Sequence, residues 1–275
     1  KGKYCTILLY KRGKLMNHWT NLSITYANQR NYLDDLFQIY PTIPDGIRDI
    51  DERLWSNVEE SFQERDNISL ITHLLYLDLF PIKDSYVAYL KRDPSAIERN
   101  PNTVNRICGR IYEMGLDKVF ERCSEPKETN RQIGPLFKRW LKSNALGIPP
   151  VSISEFEGST KNAVLDASDA EMQSWCRTNL NYTRDKGLDF VARFNGKYII
   201  GEAKFLTDFG GHQNAQFADA ISTIKTPDVQ AIKVAILDDV LYIRGGNKMY
   251  RDITETYSDC NIISALLLRD FLYSI

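Results

Sequence analysis

The sequence predicts an α/β or α+β fold, in which a hairpin, further strands and flanking helices occupy the C-terminal half. Two observations carry this prediction. Residues 189–204, DFVARFNGKYIIGEAK, place an Asn-Gly pair between two runs rich in β-branched and aromatic residues, which is typical of two strands joined by a two-residue turn. On both sides of this hairpin, apolar residues recur at helical spacing.

The turn sets the register of the predicted hairpin. If Asn195 and Gly196 form the turn, Asp189 on the first strand opposes Glu202 on the second. Side chains alternate between the two faces of a strand, so Lys204 shares the face of Glu202. Directly opposed like charges destabilise a sheet. The sequence therefore predicts a cluster of two carboxylates and one lysine, in which some other group offsets the repulsion.

The residues alone leave two interpretations of this cluster open. The carboxylates could hold a divalent cation, because Mg²⁺ commonly binds one or two carboxylates together with water and phosphate oxygens. The lysine would then stabilise charge on a phosphate or position an attacking water. Alternatively, the three side chains form an exposed salt bridge. Ile199, Ile200 and Phe205 indicate a buried strand and favour the cation, since buried like charges are costly without a partner.

Asp189, followed on the next strand by Glu202-Ala203-Lys204, resembles the PD-(D/E)xK nuclease signature, which is best known from type II restriction endonucleases. Leu188 stands where the signature has proline. The resemblance implies a restriction-endonuclease-like core, in which helices flank a mixed central sheet, with Asp189, Glu202 and Lys204 as catalytic residues. It also implies a Mg²⁺ ion, with Mn²⁺ able to substitute, bound by Asp189, Glu202 and the Ala203 carbonyl.

The same resemblance implies an activity. The expected protein is a Mg²⁺-dependent, sequence-specific endonuclease that hydrolyses double-stranded DNA to 5′-phosphate and 3′-hydroxyl ends. Cutting both strands of a palindromic site implies a homodimer. The family further implies a prokaryotic cytoplasmic protein; from the residues themselves, neither a nucleotide cofactor nor membrane association is expected. Two alternatives stay open: a repair nuclease, resolvase or exonuclease of the same superfamily, and a non-catalytic helical DNA-binding protein.

Helices are predicted on both sides of the hairpin. Ser168 and Glu171 have the spacing of a capping box that opens a helix running to Leu180. A helix of the family at this place can contribute another acid, so Glu171 is either a further metal ligand or only part of the cap. After the hairpin, apolar residues between Ala215 and Ile224 predict a second helix.

Polar residues gather at the start of this second helix. Glutamine and asparagine can hydrogen-bond adenine, and a helix N-terminus attracts phosphate, so the segment is a candidate DNA contact. An ordinary polar helix start is the alternative explanation for each residue. The residues are His212, Gln213, Asn214 and Gln216.

The C-terminal tail is expected to complete the sheet. Residues 231–239 and 240–246, AIKVAILDD and VLYIRGG, have the composition of two strands joined at Asp238 and Asp239. Residues 261–275, NIISALLLRDFLYSI, are expected to form a closing amphipathic helix. Its apolar positions are Ile263, Leu266, Leu267 and Phe271.

Overall charge does not point to a partner. The chain has 35 basic and 36 acidic side chains, so net charge alone does not indicate nucleic acid. Residues 131–142, RQIGPLFKRWLK, differ because they contain four basic residues and no acid. They form either a phosphate-contacting helix or a solvated basic face with aromatic residues in the core. The basic residues are Arg131, Lys138, Arg139 and Lys142.

Cysteine and histidine usage argues against other kinds of site. Five cysteines, an odd number without a CxxC pair, indicate free thiols in a reducing cytoplasm and argue against structural zinc. Three histidines are too few and too dispersed for a histidine metal site. The sequence contains no Walker P-loop, GxSxG or HExxH motif and no apolar run long enough to span a membrane.

The N-terminal half is predicted to be helical, with several apolar stripes at helical spacing. Two of them are Leu33, Leu36, Phe37 and Tyr40, and Val104, Ile107, Ile111 and Met114. Pro149-Pro150 marks the expected boundary. Residues 1–148 are therefore expected to form a mostly helical DNA-recognition or dimerisation region with an N-terminal arm, and residues 149–275 a PD-(D/E)xK-like catalytic domain.

Overall fold

The computed structural model describes residues 16–29, 31–42, 49–125 and 133–275, which divide into two compact units. One unit takes in the described residues within Ile43–Thr129, and the other takes in those within Lys1–Thr42 and Asn130–Ile275. The expected N-terminal arm and the candidate DNA contact Arg131 lie outside the described residues.

Six strands form one mixed sheet in the larger unit, and neighbouring strands follow chain order. The strands are β1 (Pro150–Val151), β2 (Ala163–Leu165), β3 (Phe190–Phe194), β4 (Lys197–Leu206), β5 (Ile232–Asp239) and β6 (Asn261–Ile263). Strand β1 is parallel to β2, the β2–β3 and β3–β4 pairs are antiparallel, and the β4–β5 and β5–β6 pairs are parallel. This mixed sheet, flanked by helices, confirms the predicted fold class.

Helices surround the sheet and make up the smaller unit. In chain order they are α1 (His18–Ala27), α2 (Tyr32–Ile39), α3 (Glu52–Glu64), α4 (Asn67–Tyr76), α5 (Val87–Arg92), α6 (Ala96–Arg99), α7 (Pro101–Met114), α8 (Leu116–Cys123), α9 (Ile133–Lys142), α10 (Ile153–Glu157), α11 (Asp169–Leu180), α12 (Gly211–Ile224), α13 (Lys248–Arg251) and α14 (Leu268–Ser274). In the described part of the chain, no helix has the length and apolar character that a membrane crossing requires.

The β3–β4 hairpin has the predicted register. Asn195 and Gly196 have φ angles of 49° and 74°, as a two-residue turn with two positive φ angles requires. Phe194 pairs with Lys197, and the pairing continues along both strands. Asp189 lies immediately before β3, so the register carries it to the side of β4.

Both faces of the sheet are covered, which explains the apolar run in β3. Phe190, Ala192 and Phe194 lie in a core that includes residues of α1, α12 and α14. Val191 lies in a second core with residues of α10 and α11. Strands buried on both faces have continuous apolar sequences rather than alternating ones. Burial of both faces also opposes register slippage, since a slip of one residue would exchange the side chains of the two cores.

The predicted C-terminal elements are partly wrong. Strand β5 forms as expected, but Val240–Tyr242 is a 3₁₀ turn rather than a strand. The chain turns at Asp239, which has a φ of 83°, and Leu241 then enters the core. The closing helix is shorter than predicted, because Asn261–Ile263 is strand β6. Periodicity alone does not distinguish a short apolar strand from part of a buried helix.

Helix α2 turns only part of the predicted face to the core. Leu33 and Phe37 are 65% and 44% exposed, whereas Tyr32 and Leu36 are buried. Spacing therefore identified the helix and the burial of Leu36 and Tyr40, but wrongly placed Leu33 and Phe37 in the core. The cause is a tertiary contact, because the Tyr32 hydroxyl donates a buried hydrogen bond to Asp238.

The smaller unit is a helical bundle. Its core includes Val104, Ile107 and Ile111 of α7, as the apolar stripe predicted, and Gly115 ends that helix with a φ of 82°. No strand occurs within residues 49–125. The compact units do not coincide with the expected division after residue 148, because α1, α2 and α9 belong to the unit that contains the sheet. Which regions recognise DNA stays a prediction.

A buried carboxylate ties the end of β5 to neighbouring segments. Asp238 Oδ1 accepts hydrogen bonds from the hydroxyls of Tyr32 (3.2 Å) and Ser264 (2.5 Å). Its Oδ2 accepts from the Tyr40 hydroxyl (3.2 Å) and the Ala265 backbone N–H (3.1 Å). Burial raises the pKa of Asp238 to about 6, although all four donors favour the charged form.

We expect Asp238→Ala to lower the free energy of unfolding by about 3 kcal/mol near pH 4.5, because it leaves four buried donors without an acceptor. The loss should shrink as the pH rises through 6. A carboxyl group whose pKa is higher in the folded state contributes its stability while protonated and loses it on ionisation. Urea unfolding at several pH values measures both effects.

Tyr40→Phe is the matched control, since it removes one donor and keeps the carboxyl group. It should cost about 1 kcal/mol and keep a stability that falls as the pH rises, because the carboxyl group is still present. An Asp238→Ala deficit of the same size at every pH would contradict the assignment.

Candidate functional site

Three of the residues predicted to form the site lie together at the open end of the hairpin. Lys204 Nζ donates hydrogen bonds to Asp189 Oδ2 at 2.9 Å and to Glu202 Oε1 at 2.6 Å. The Ala203 backbone N–H also donates to Asp189 Oδ2, at 2.9 Å. The Asp189 side chain thus continues the pairing of the hairpin beyond the end of β3. The two acids share one ammonium, which offsets part of the repulsion between them.

Burial differs sharply among these side chains. Glu202 is only 2% exposed, whereas Asp189 and Lys204 are 23% and 20% exposed. Glu202 Oε2 is buried and has no hydrogen-bond partner. Buried polar atoms are nearly always paired in native proteins, so an unpaired one requires an explanation such as an ion or water. The cluster therefore has a buried floor at Glu202 and a partly open side at Asp189 and Lys204.

Electrostatics within the cluster follow from this burial. Desolvation, followed by repulsion from Asp189, raises the pKa of Glu202 above its ordinary value. Burial by itself would lower the pKa of Lys204, but the attraction of Asp189 and Glu202 outweighs it and raises that pKa. Lys204 therefore keeps its proton at neutral pH.

A second group of charges adjoins Glu202, and the sequence did not reveal it. Lys186 Nζ donates to Glu202 Oε1 at 2.6 Å and also contacts Asp219 Oδ2 on α12. Arg184 pairs with Asp219 Oδ1 at 3.2 Å and donates to the Thr223 hydroxyl at 2.5 Å. The sequence shows two basic residues, Arg184 and Lys186, just before Asp189. It does not show that the tertiary fold places Asp219 of α12 beside them.

A close backbone approach positions the loop before Asp189. Leu188 N–H donates to the Asp169 carbonyl at 3.2 Å. A Cβ added at Gly187 would lie 2.7 Å from Asp169 Cβ and 3.0 Å from its backbone carbon. Any larger residue would push the loop away from the first turn of α11. Glycine is therefore required between Lys186 and Asp189 for this packing.

The donor set fits a divalent cation with few protein ligands. Asp189 and the unpaired Oε2 of Glu202 offer two carboxylates, which is the usual number for Mg²⁺ when water and phosphate complete its shell. The predicted third ligand, the Ala203 carbonyl, accepts a hydrogen bond from Lys204 at 3.1 Å. Within the described residues, no group of three or more His, Cys, Asp or Glu side chains is arranged to hold a metal ion.

Glu171 occupies the position of a helix cap. Its carboxylate accepts from the Ser168 backbone N–H at 2.8 Å, and the Ser168 hydroxyl accepts from Glu171 N–H. Hydrogen bonding by Ser168 lowers the pKa of Glu171. The capping role predicted from the sequence is therefore present, and Glu171 makes none of the hydrogen bonds that join the Asp189 cluster.

The basic side chains of α9 differ in whether an acidic side chain contacts them. Lys138 pairs with Asp169 at 2.6 Å, and Lys142 pairs with Asp166 at 2.9 Å. Arg139 is exposed. Two of the candidate phosphate contacts are thus already near acids, which reduces the positive charge that α9 presents.

The polar residues at the start of α12 differ in exposure. Gln213 is buried, and its Nε2 donates to the Thr207 hydroxyl at 3.2 Å. Asn214 donates to the Phe209 carbonyl at 2.8 Å. His212 Nε2 and Gln216 Nε2 lie 2.9 Å apart on the outer side of the helix. The pair of His212 and Gln216 is thus the more accessible part of this candidate DNA contact.

Comparison with known proteins identifies the family. The sequence model of the Tsp45I type II restriction enzyme family matches residues 17–275, nearly the whole chain. No curated protein and no solved structure matches the chain. The family match confirms the predicted type II restriction endonuclease, with DNA as its substrate. The chain therefore belongs to the Tsp45I type II restriction enzyme family and is a site-specific deoxyribonuclease.

Proposed function

We propose that this endonuclease cleaves DNA at the cluster of Asp189, Glu202 and Lys204, a PD-(D/E)xK site that uses Mg²⁺. The products are 5′-phosphate and 3′-hydroxyl ends. One observation carries the proposal: a buried carboxylate, Glu202, keeps one oxygen unpaired beside a second carboxylate and a protonated lysine. A purely structural salt bridge would have no reason to leave a buried charged oxygen without a partner.

The two carboxylates would hold the cation, Glu202 through Oε2 and Asp189 from the open side. When bound, Mg²⁺ supplies Lewis-acid activation of water and neutralises charge on the phosphate. The role of the chain is to hold both acids in place. Hairpin register and the Ala203 N–H bond do this for Asp189, and the hydrogen bonds from Lys186 and Lys204 do it for Glu202.

Lys204 acts as a cation rather than as a base. Because its pKa is raised, its ammonium keeps the proton at neutral pH and does not accept one from water. Its Nζ is instead placed to donate a hydrogen bond to a phosphate oxygen or to orient the attacking water. Charge-assisted donors of this kind stabilise the additional negative charge of the transition state.

Double-strand cleavage requires two such sites, and a homodimer supplies them with the symmetry of a palindromic target. We assign phosphate and base contacts to the exposed basic side of α9 at Arg139 and to the outer side of α12 at His212 and Gln216. Lys138 and Lys142 join them if DNA displaces Asp169 and Asp166.

Asp189→Asn, Glu202→Gln and Lys204→Gln should each reduce cleavage by about 100-fold or more, because each removes a charge that the reaction uses. Duplex plasmid is incubated with Mg²⁺ or with chelator, and the fragments are resolved on a gel. The wild type should give discrete, metal-dependent bands whose ends are substrates for DNA ligase. DNA binding in chelator should persist in all three variants.

Lys197→Gln is the matched control for Lys204→Gln. Lys197 lies on the same strand at the turn end and is exposed, so its loss should leave the band pattern and rate unchanged. Undiminished cleavage by Glu202→Gln would refute the assignment of the site.

Glu202→Gln should raise the melting temperature of the metal-free protein at pH 8. The pKa of Glu202 is raised in the folded state, so its stabilising contribution is present while it is protonated and is lost as the pH rises. Glutamine mimics the protonated form, and the gain should therefore vanish towards pH 4. Thermal melts in chelator across this pH range test the sign, and a variant that melts lower than wild type at pH 8 would contradict it.

A further inference from the structure

Lys186 makes an ion pair that the proposed reaction leaves unexplained. Its Nζ lies 2.6 Å from Glu202 Oε1 and also contacts Asp219 Oδ2. Lys204 Nζ donates to the same Oε1, also at 2.6 Å. Two ammonium groups thus share one carboxylate oxygen, while the other oxygen of Glu202 has no partner.

The charges of this cluster balance in the absence of a cation. Its three acids are neutralised by three basic side chains through the contacts already described. A divalent cation at the two carboxylates would add two positive charges close to both ammonium groups. Like charges at such distances repel strongly in a partly buried site, so at least one ammonium must move away from Glu202. The acids are Asp189, Glu202 and Asp219, and the basic residues are Arg184, Lys186 and Lys204.

Lys186 is better placed to move than Lys204. Lys204 is 20% exposed, stands on a central strand and has Asp189 and the Ala203 carbonyl as further acceptors. Lys186 is 31% exposed, lies in the loop before Asp189, and already contacts Asp219 as a second acceptor. If Lys186 moves away from Glu202, it therefore loses one acidic partner and keeps the other, Asp219.

We propose that Lys186 is a positioning residue, an exchangeable counter-charge that holds Glu202 in place until the metal binds and is then retained by Asp219. The proposal rests on the proposed function, since it takes Glu202 as a ligand of the cation. Lys186 touches neither the cation nor DNA in this role. It keeps the buried carboxylate oriented in the free enzyme, and Asp219 receives its charge afterwards.

The test is thermal unfolding of the full chain in chelator and over a series of Mg²⁺ concentrations. Lys186→Gln should lower the metal-free melting temperature, because Glu202 loses a counter-charge. It should also lower the Mg²⁺ concentration at half-maximal stabilisation by about three- to tenfold, because a competing cation is gone. Cleavage at saturating Mg²⁺ should change much less than this midpoint.

Asp219→Asn should move the midpoint in the opposite direction, since Lys186 then has only Glu202 as its acidic partner and is harder to displace. Lys186→Arg keeps the charge and should stay close to the wild type. Lys197→Gln, a charge change at the far end of β4, should leave the midpoint unaltered. If Lys186→Gln does not fold, the opposite shift in Asp219→Asn still decides the question.

The outcomes separate this inference from the proposed function. Two results together would overturn the role of Lys186 and leave the metal site intact. The first is a melting temperature of Lys186→Gln that is lowered equally with and without Mg²⁺. The second is an Mg²⁺ midpoint that does not change in Asp219→Asn. A wild-type protein whose melting temperature does not respond to Mg²⁺, or responds equally in Glu202→Gln, would overturn the proposed site itself.

Discussion

The register of the β3–β4 hairpin is the constraint on which the site depends. Side chains alternate across a strand, so a slip of one residue would send Glu202 and Lys204 together to the opposite face and separate both from Asp189. The Asn195-Gly196 turn sets the register locally, and burial of both faces of β3 enforces it globally. The Ala203 N–H bond to Asp189 then carries the pairing one residue beyond the strand, where functional side chains replace ladder bonds.

A buried carboxylate follows from this register, and its cost shapes the surroundings. The Glu202 side chain is almost fully buried, and an unpaired charge at such a position is strongly unfavourable. The attraction within a buried ion pair offsets the desolvation cost only when the geometry is good. The ammonium groups of Lys204 and Lys186 both contact Glu202 Oε1 and compensate for this cost. The acids are thus held in place, and the remaining oxygen of Glu202 is unpaired. If the proposed cation binds there, such preorganised ligands reduce the reorganisation that its binding requires.

The parts predicted correctly from the sequence are those governed by local rules. The turn, the hairpin register and the Ser168 capping box depend on neighbouring residues, and all three formed. Hydrophobic spacing gave wrong predictions for three features that depend on distant partners. They are the exposure of Leu33 and Phe37 on α2, the 3₁₀ turn after Asp239, and strand β6. The contact between Lys186 and Asp219 was not predicted for the same reason, because nothing in the sequence places α12 against the loop before Asp189.

Strand β4 is paired on both sides, with β3 and with β5, and this distinguishes Lys204 on the strand from Lys186 in the loop before Asp189. Beyond Lys204 the strand pairs with β5 at Phe205 and Asp238, and the Tyr40 ring packs on Phe205 with centroids 5.0 Å apart. The four hydrogen bonds to Asp238 hold this end of the sheet together. In the proposed mechanism Lys204 has to be held within a fraction of an ångström, and its place on this strand favours that. The proposed counter-charge, Lys186, has to be released when the metal ion binds, and its place in the adjoining loop favours that.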